Sequence, residues 1–189
     1  MRGATPLSID RVRFLAEAIS FDGYPFVGAS VHPRGTVSAG HIASVDTRGA
    51  PPEVHTVEGE TLLVSAVHVR ELEAFAKQHG ISDVHRRDVW HLILDVYFYP
   101  PPDEGRIGFM LEECGFEQAE IDRVRKRVGP YVAPYVAGTW FDWPHLGLYD
   151  LLDAHQTCAP RPVSPAELRE TYWWAMGIAA KGIAKPPAW

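Results

Sequence analysis

Residues Ser82 to Pro102 read SDVHRRDVWHLILDVYFYPPP, the longest apolar run in the chain, closed by Pro100, Pro101 and Pro102. As a helix, the segment has an N-cap in Ser82, whose hydroxyl can accept an amide proton that the first turn leaves unpaired. The prolines end it, because proline has no N–H and its ring clashes with the preceding turn. At the helical period Val89, Trp90, Leu92, Ile93, Leu94, Val96 and Tyr97 cover most of the circumference, as in a buried helix. One narrow polar stripe interrupts them: Asp88, His91 and Asp95, spaced i, i+3, i+7. As a strand, the period is two, so His91 and Asp95 stay together while Asp88 changes face. The β-branched and aromatic residues Val96 to Tyr99 keep that alternative open.

A histidine between two carboxylates has its tautomer fixed and its pKa drawn upward. The stripe fits a satisfied polar seam, an acid–base or substrate-binding site, or part of a metal site that needs ligands from elsewhere. The chain has no H-E-x-x-H and no His-x-His pair to strengthen the metal case. A second stretch, Thr139 to Cys158 (TWFDWPHLGLYDLLDAHQTC), crowds aromatics with Asp142, His145, Asp150, Asp153 and His155. A short helix over Leu146 to Ala154 would turn Leu148, Leu151 and Leu152 inward and set Asp150 and Asp153 one turn apart. The candidate site is therefore Asp88, His91, Asp95, His145 and His155, on the expectation that the two stretches face each other. The competing picture is a loop pinned by Trp140 and Trp143, with its Asp and His side chains merely solvated.

With 189 residues, 46% of them apolar and 22% charged, the chain has the make-up of one globular domain with a real core. A net charge of −6 argues against broad nucleic-acid or anionic-membrane binding. Cys114 and Cys158 lie far apart, which points to a reducing cytoplasm rather than a disulfide framework. Arg11, Arg13 and Glu17 interrupt the first apolar pattern, so no signal-peptide core is expected. No run approaches the length needed to cross a bilayer.

Along the chain, Ser8 is placed to cap a first helix over about 9–20, with Ile9, Val12, Leu15 and Ile19 along one side. Phe26 to Val31 reads as a strand, His32 to Gly35 as a turn, and Thr36 to Val45 as the returning strand, with His41 on its apolar face as a core histidine. Val54 to Val57 and Thr61 to Val64 form a hairpin around Glu58-Gly59, completing a meander of about four antiparallel strands. Ser65 opens a helix that runs to His79 and stops at Gly80.

Asp103 caps a helix ending at Cys114-Gly115, and Glu117 to Val128 forms the next, closed by Gly129-Pro130. The pair has the spacing of a helix-turn-helix, but Leu111 is large where a small residue is wanted, and Glu117 and Asp122 would repel phosphate. Pro130-Tyr-Val-Ala repeats as Pro134-Tyr-Val-Ala, which reads as an extended connector. Ser164-Pro165-Ala166-Glu167 is a capping box that opens a helix to about Ala184, followed by a short tail.

The expected class is α+β: a small antiparallel β-meander in the N-terminal half, packed with about six or seven helices that are mostly C-terminal. The β-rich half spans about 21–67 and the helical half about 68–184. The first functional expectation is a soluble, cytoplasmic protein that binds a protein or small-molecule partner through its aromatic surface. The second is an enzyme with an Asp/His acid–base or metal site. The third is a DNA-binding regulator using residues 104–128. The glycines are scattered, so no phosphate loop or other cofactor fingerprint is present.

Overall fold

The computed structural model describes residues 8–97, 103–138 and 145–182. Among them are six α-helices and two sheets, with strands mostly N-terminal and helices mostly C-terminal, an α+β arrangement. These residues divide into two compact units, one of 8–87 with 165–182 and one of 88–164. Pro100 to Pro102, Trp140, Asp142, Trp143 and the tail from Lys185 lie outside the described residues. No helix among the described residues is long and apolar enough to cross a membrane.

The first unit begins with an antiparallel meander of β1 (Val12–Phe14), β2 (Ala18–Asp22) and β3 (Arg34–Ser38). The helix expected over 9–20 is therefore a hairpin. Its turn is closed by Leu15 N–H donating to Ala18 O at 2.8 Å. Leu15, which the helical spacing places inward, is exposed, whereas Ile19 and Phe21 are buried, opposite Phe14 and Val12. Phe26 to Val31 is not a strand but a run of turns, closed by Ala29 N–H to Phe26 O and His32 N–H to Ala29 O. It still buries Phe26, Ala29 and Val31.

The returning strand is broken by a 3₁₀ turn at Ala39–His41, where small residues and Gly40 weaken the ladder. The two pieces belong to different sheets, and His41 is exposed, with its Nδ1 2.7 Å from Ser38 Oγ, so it is not a core histidine. The second sheet contains β4 (Ile42–Asp46), β5 (Glu53–Thr56), β6 (Thr61–Leu63) and β7 (Ser82–Asp83), in the order β6-β5-β4-β7. The β5–β6 hairpin turns at Glu58-Gly59 as expected, with Gly59 at φ +83. β7 lies parallel to β4, reached through α1 (Val69–His79), and Gly80 ends that helix at φ +65. α6 (Pro165–Ala179) starts at the expected proline and buries Tyr172, Ala175, Met176 and Ile178. Gly28 gives it room: a Cβ there would lie 2.6 Å from Tyr172 Cβ.

The second unit is helical: α2 (Val89–Leu94), α3 (Glu104–Glu113), α4 (Gln118–Gly138) and α5 (Leu148–Thr157). α2 packs against α3, α4 and α5. The central segment is helical over 89–94, which removes the strand alternative there, but its cap is Asp88 rather than Ser82. Ser82 is taken by the pairing of β7 with β4, so the helix starts at the next capping residue down the chain. Asp103 caps α3 as expected, its carboxylate accepting from Arg106 N.

α4 overrides the break expected at Gly129-Pro130 and runs through both Pro-Tyr-Val-Ala repeats. Its buried residues Ile121, Val124, Val128, Tyr131 and Val132 keep one helical face across the prolines, and that burial outweighs the lost N–H donors. Tyr97 Oη donates to the Arg125 carbonyl at 3.0 Å just upstream of Pro130. Gly129 admits the phenol, since a Cβ there would stand 3.0 Å from Tyr97 Oη.

Candidate functional site

Three of the five candidate residues, Asp88, His91 and His145, touch one another within the helical unit. Asp88 divides its carboxylate between two tasks. Oδ1 accepts from His91 N at 2.9 Å and caps α2, while Oδ2 accepts from His145 Nε2 at 3.0 Å. His91, on the first turn of α2, donates from Nδ1 to the Leu146 carbonyl at 3.3 Å. The two imidazoles then stack, with centroids 4.1 Å apart and planes 19° from parallel. Gly147, the N-cap of α5, completes the approach. A Cβ at that position would lie 2.9 Å from Asp88 Oδ2 and 3.3 Å from His145 Nε2, so a side chain there would push the pair apart.

Two groups around this cluster have shifted pKa values. Burial lowers the pKa of His91, and the neighbouring His145 lowers it further. Asp88 and Asp95 pull it upward, as their spacing suggested, but burial and His145 win. The bond to the Leu146 carbonyl places the His91 proton on Nδ1. Nε2 is then a lone-pair acceptor with no hydrogen-bond partner among the described residues. Asp150, at the start of α5, moves the other way. Burial pushes its carboxyl up to about 6, against the pull of the Gly147 amide, which donates to it at 2.9 Å, and of His145. The two shifts bring an imidazole of α2 and a carboxyl of α5 toward one another in pKa, which suits both to proton exchange with a substrate.

The other candidates stand further out. Asp95 follows α2 in a 3₁₀ turn and acts on His91 through charge. His155 packs against Tyr131 of α4, with ring centroids 4.8 Å apart. Asp150 and Gly147 join the site through the start of α5, and their sequence signal is an acidic residue three positions after a helix N-cap. Asp153 is 3% exposed. Its Oδ2 accepts from Tyr135 Oη at 3.1 Å, and its Oδ1 has no partner among the described residues. Among the described residues, no group of three His, Cys, Asp or Glu side chains is placed to hold a metal ion.

The sheet unit carries a polar network that the chain order conceals. Arg86 donates to Ser44 Oγ at 3.4 Å, Ser44 Oγ lies 3.1 Å from His55 Nδ1, and His55 Nε2 lies 2.8 Å from Glu53 Oε2. Beside it, Asp46 accepts from His85 Nδ1, from Arg86 N at 2.8 Å and from Arg48 N at 3.0 Å. Ser44, Asp46 and His55 are all buried, and the network satisfies polar groups that the sheet encloses. Ser44 and His55 are cross-strand partners in the β4–β5 register, a pairing that no spacing rule along one strand reveals.

Comparison with protein-family models, with curated proteins and with solved structures gave no match.

Proposed function

We propose that residues 88–164 carry an acid–base site acting on a small polar substrate. The observation that supports it is the stack of His91 on His145, with Asp88 holding the Nε2 of the latter. His91 Nε2 is the base, kept neutral by burial and open to a substrate proton. The Asp88–His145 pair orients the stack, and the charges of Asp88 and Asp95 lower the cost of the imidazolium that forms when His91 takes the proton. His91 returns that proton from Nε2, and Asp150, raised to about 6, is a second group able to carry a proton at mildly acidic pH. A surface that only binds a partner gains nothing from an imidazole and a carboxyl shifted toward each other in pKa, which favours the catalytic alternative over simple binding. Both cysteines are free, Cys114 buried and Cys158 partly so, which fits a cytoplasmic setting.

The test is proton exchange. A panel of hydroxy acids, keto acids and sugars is incubated with the full chain in D₂O, and loss of substrate C–H signals is followed by NMR. His91→Asn keeps the bond to Leu146 and removes Nε2. It is expected to cut exchange of any accepted compound by about 10²-fold or more. Exchange that persists in a folded His91→Asn protein, or no exchange with any compound, removes the proposal.

A further inference from the structure

The geometry points to a second binding site, in the sheet unit, for a small monocarboxylate with an apolar body. A cleft of about 440 Å³ opens there, lined by Ser8, Arg11, Tyr24, Pro25, His32 and Pro33. That volume lies in the range of small-molecule sites.

The walls are preformed. Tyr24 is 3% exposed and sits edge-on to both Phe21 and Phe26, at 5.4 and 5.6 Å. Its amide donates to the Pro33 carbonyl at 2.9 Å, and its own carbonyl accepts from His32 Nδ1 at 2.8 Å. The imidazole and the proline are thereby fixed as a face of the cleft. Pro25 and Pro33 have no N–H, so they offer apolar surface and no donor.

Arg11 is the positive charge at this cleft. Its neighbour Asp22 is paired with Arg34 instead, which places Nε and Nη2 each 2.8 Å from Asp22 Oδ1. Arg34 dominates the lowering of the Asp22 pKa, and Arg11 adds only a weaker pull through space. The guanidinium of Arg11 is therefore left to a ligand. Its arm passes over Gly23, with Cδ and Nη1 each 3.9 Å from where a Cβ would stand, and Gly23 itself holds φ +72. Ser8 Oγ accepts from Asp10 N at 3.3 Å and keeps its own proton to donate.

One planar guanidinium fork matches one carboxylate, whose two oxygens it can bind together. A phosphate dianion would need more positive charge than this cleft supplies. The Pro25 and Pro33 rings would cover the organic part of the ligand.

The full chain is titrated by NMR with benzoate, with benzamide and with inorganic phosphate. Benzoate is expected to give saturable shifts at Gly23, Tyr24 and His32 and at the Arg11 side chain. Benzamide keeps the ring but lacks the charge, and should bind at least about tenfold more weakly; phosphate should bind no more tightly than benzoate. Arg11→Ala should weaken benzoate by about tenfold or more, and Arg11→Lys, which keeps charge but not the fork, by less. His91→Asn should leave benzoate binding unchanged, which separates this cleft from the proposed acid–base site. The inference is overturned by an absence of saturable shifts, by equal binding of benzamide, by tighter binding of phosphate, or by unchanged affinity in a folded Arg11→Ala protein.

Discussion

His91 and His145 stack face to face 4.1 Å apart, and only one of the two has a carboxylate on its outer nitrogen. A proton added to His91 would enter a half-buried position beside a second imidazole, so its folded pKa lies below 6.5. The unfolded chain then binds more protons than the folded one in the window between the two values. Stability from this group is present above about pH 6.5 and is lost as pH falls through the folded pKa. An NMR titration of the His91 Cε1–H should show the lowered midpoint, and His145→Asn should move it back upward. A midpoint at or above 6.5 in the unaltered protein contradicts this.

Asp88 joins a helix cap to the imidazole pair, and substitution separates the two roles. Asp88→Ala removes the acceptor for His91 N and should cost about 1 kcal/mol of stability. Asp88→Asn keeps a capping oxygen and should stay within about 0.5 kcal/mol of the parent. Both weaken the hold on His145 Nε2, so both should alter the His145 ring signals. Urea melts give the first comparison and NMR the second; equal stability of the two variants would mean that the cap contributes nothing.

Much of the chain declared itself through local chemistry. Gly80, Glu58-Gly59, Asp103 and Pro165 all act as their side chains or backbone freedom dictate. Leu148, Leu151 and Leu152 turn inward as the helical period requires. The errors arose where distant pairing overrode a local pattern. Ile9, Val12, Leu15 and Ile19 have helical spacing, yet Val12 pairs with Phe21 and the chain folds back. Pro130 and Pro134 break a helix in isolation, but here an apolar face carries α4 through them. The two stretches that meet at His91 and His145 were both visible, because each mixes ionisable and aromatic residues in an unusual density. The reversal of the His91 shift was not, since it depends on a neighbour 54 positions away and on burial.

Asp150 has the opposite linkage. Its carboxyl is pushed up to about 6 in the folded chain, from about 3.9 in the unfolded one. The folded state therefore binds the proton more tightly. The stability it contributes is full below about pH 4 and is lost as pH rises to about 6, by an amount on the order of 2 kcal/mol. Asp150→Asn stays neutral throughout and still accepts from the Gly147 amide. It should flatten the fall between pH 4 and 6 and raise stability at pH 8 by about 1–2 kcal/mol. Denaturant midpoints at the two ends of that range check the sign; a variant less stable at pH 8 would mean that the charged form is the favoured one.

In the sheet unit, Glu60 is 2% exposed and rests on donors from two elements. Ser30 supplies its amide, at 2.9 Å, and its hydroxyl, while Tyr172 on α6 supplies its phenol, at 2.8 Å. The phenol stays protonated, because burial and the nearby Tyr24 and Glu60 raise its pKa well above 10. Tyr172→Phe preserves the packing against Gly28 but removes one charge-assisted hydrogen bond from a buried carboxylate. A loss of about 2 kcal/mol is expected, larger than for an exposed bond, because water cannot replace the donor. Glu60→Gln keeps an acceptor oxygen but removes the charge that strengthens the bond, so it should cost less in the Tyr172→Phe background, where that bond is already gone, than alone. Urea denaturation of the four proteins measures the coupling, and strict additivity would show that the Tyr172–Glu60 bond adds no stability.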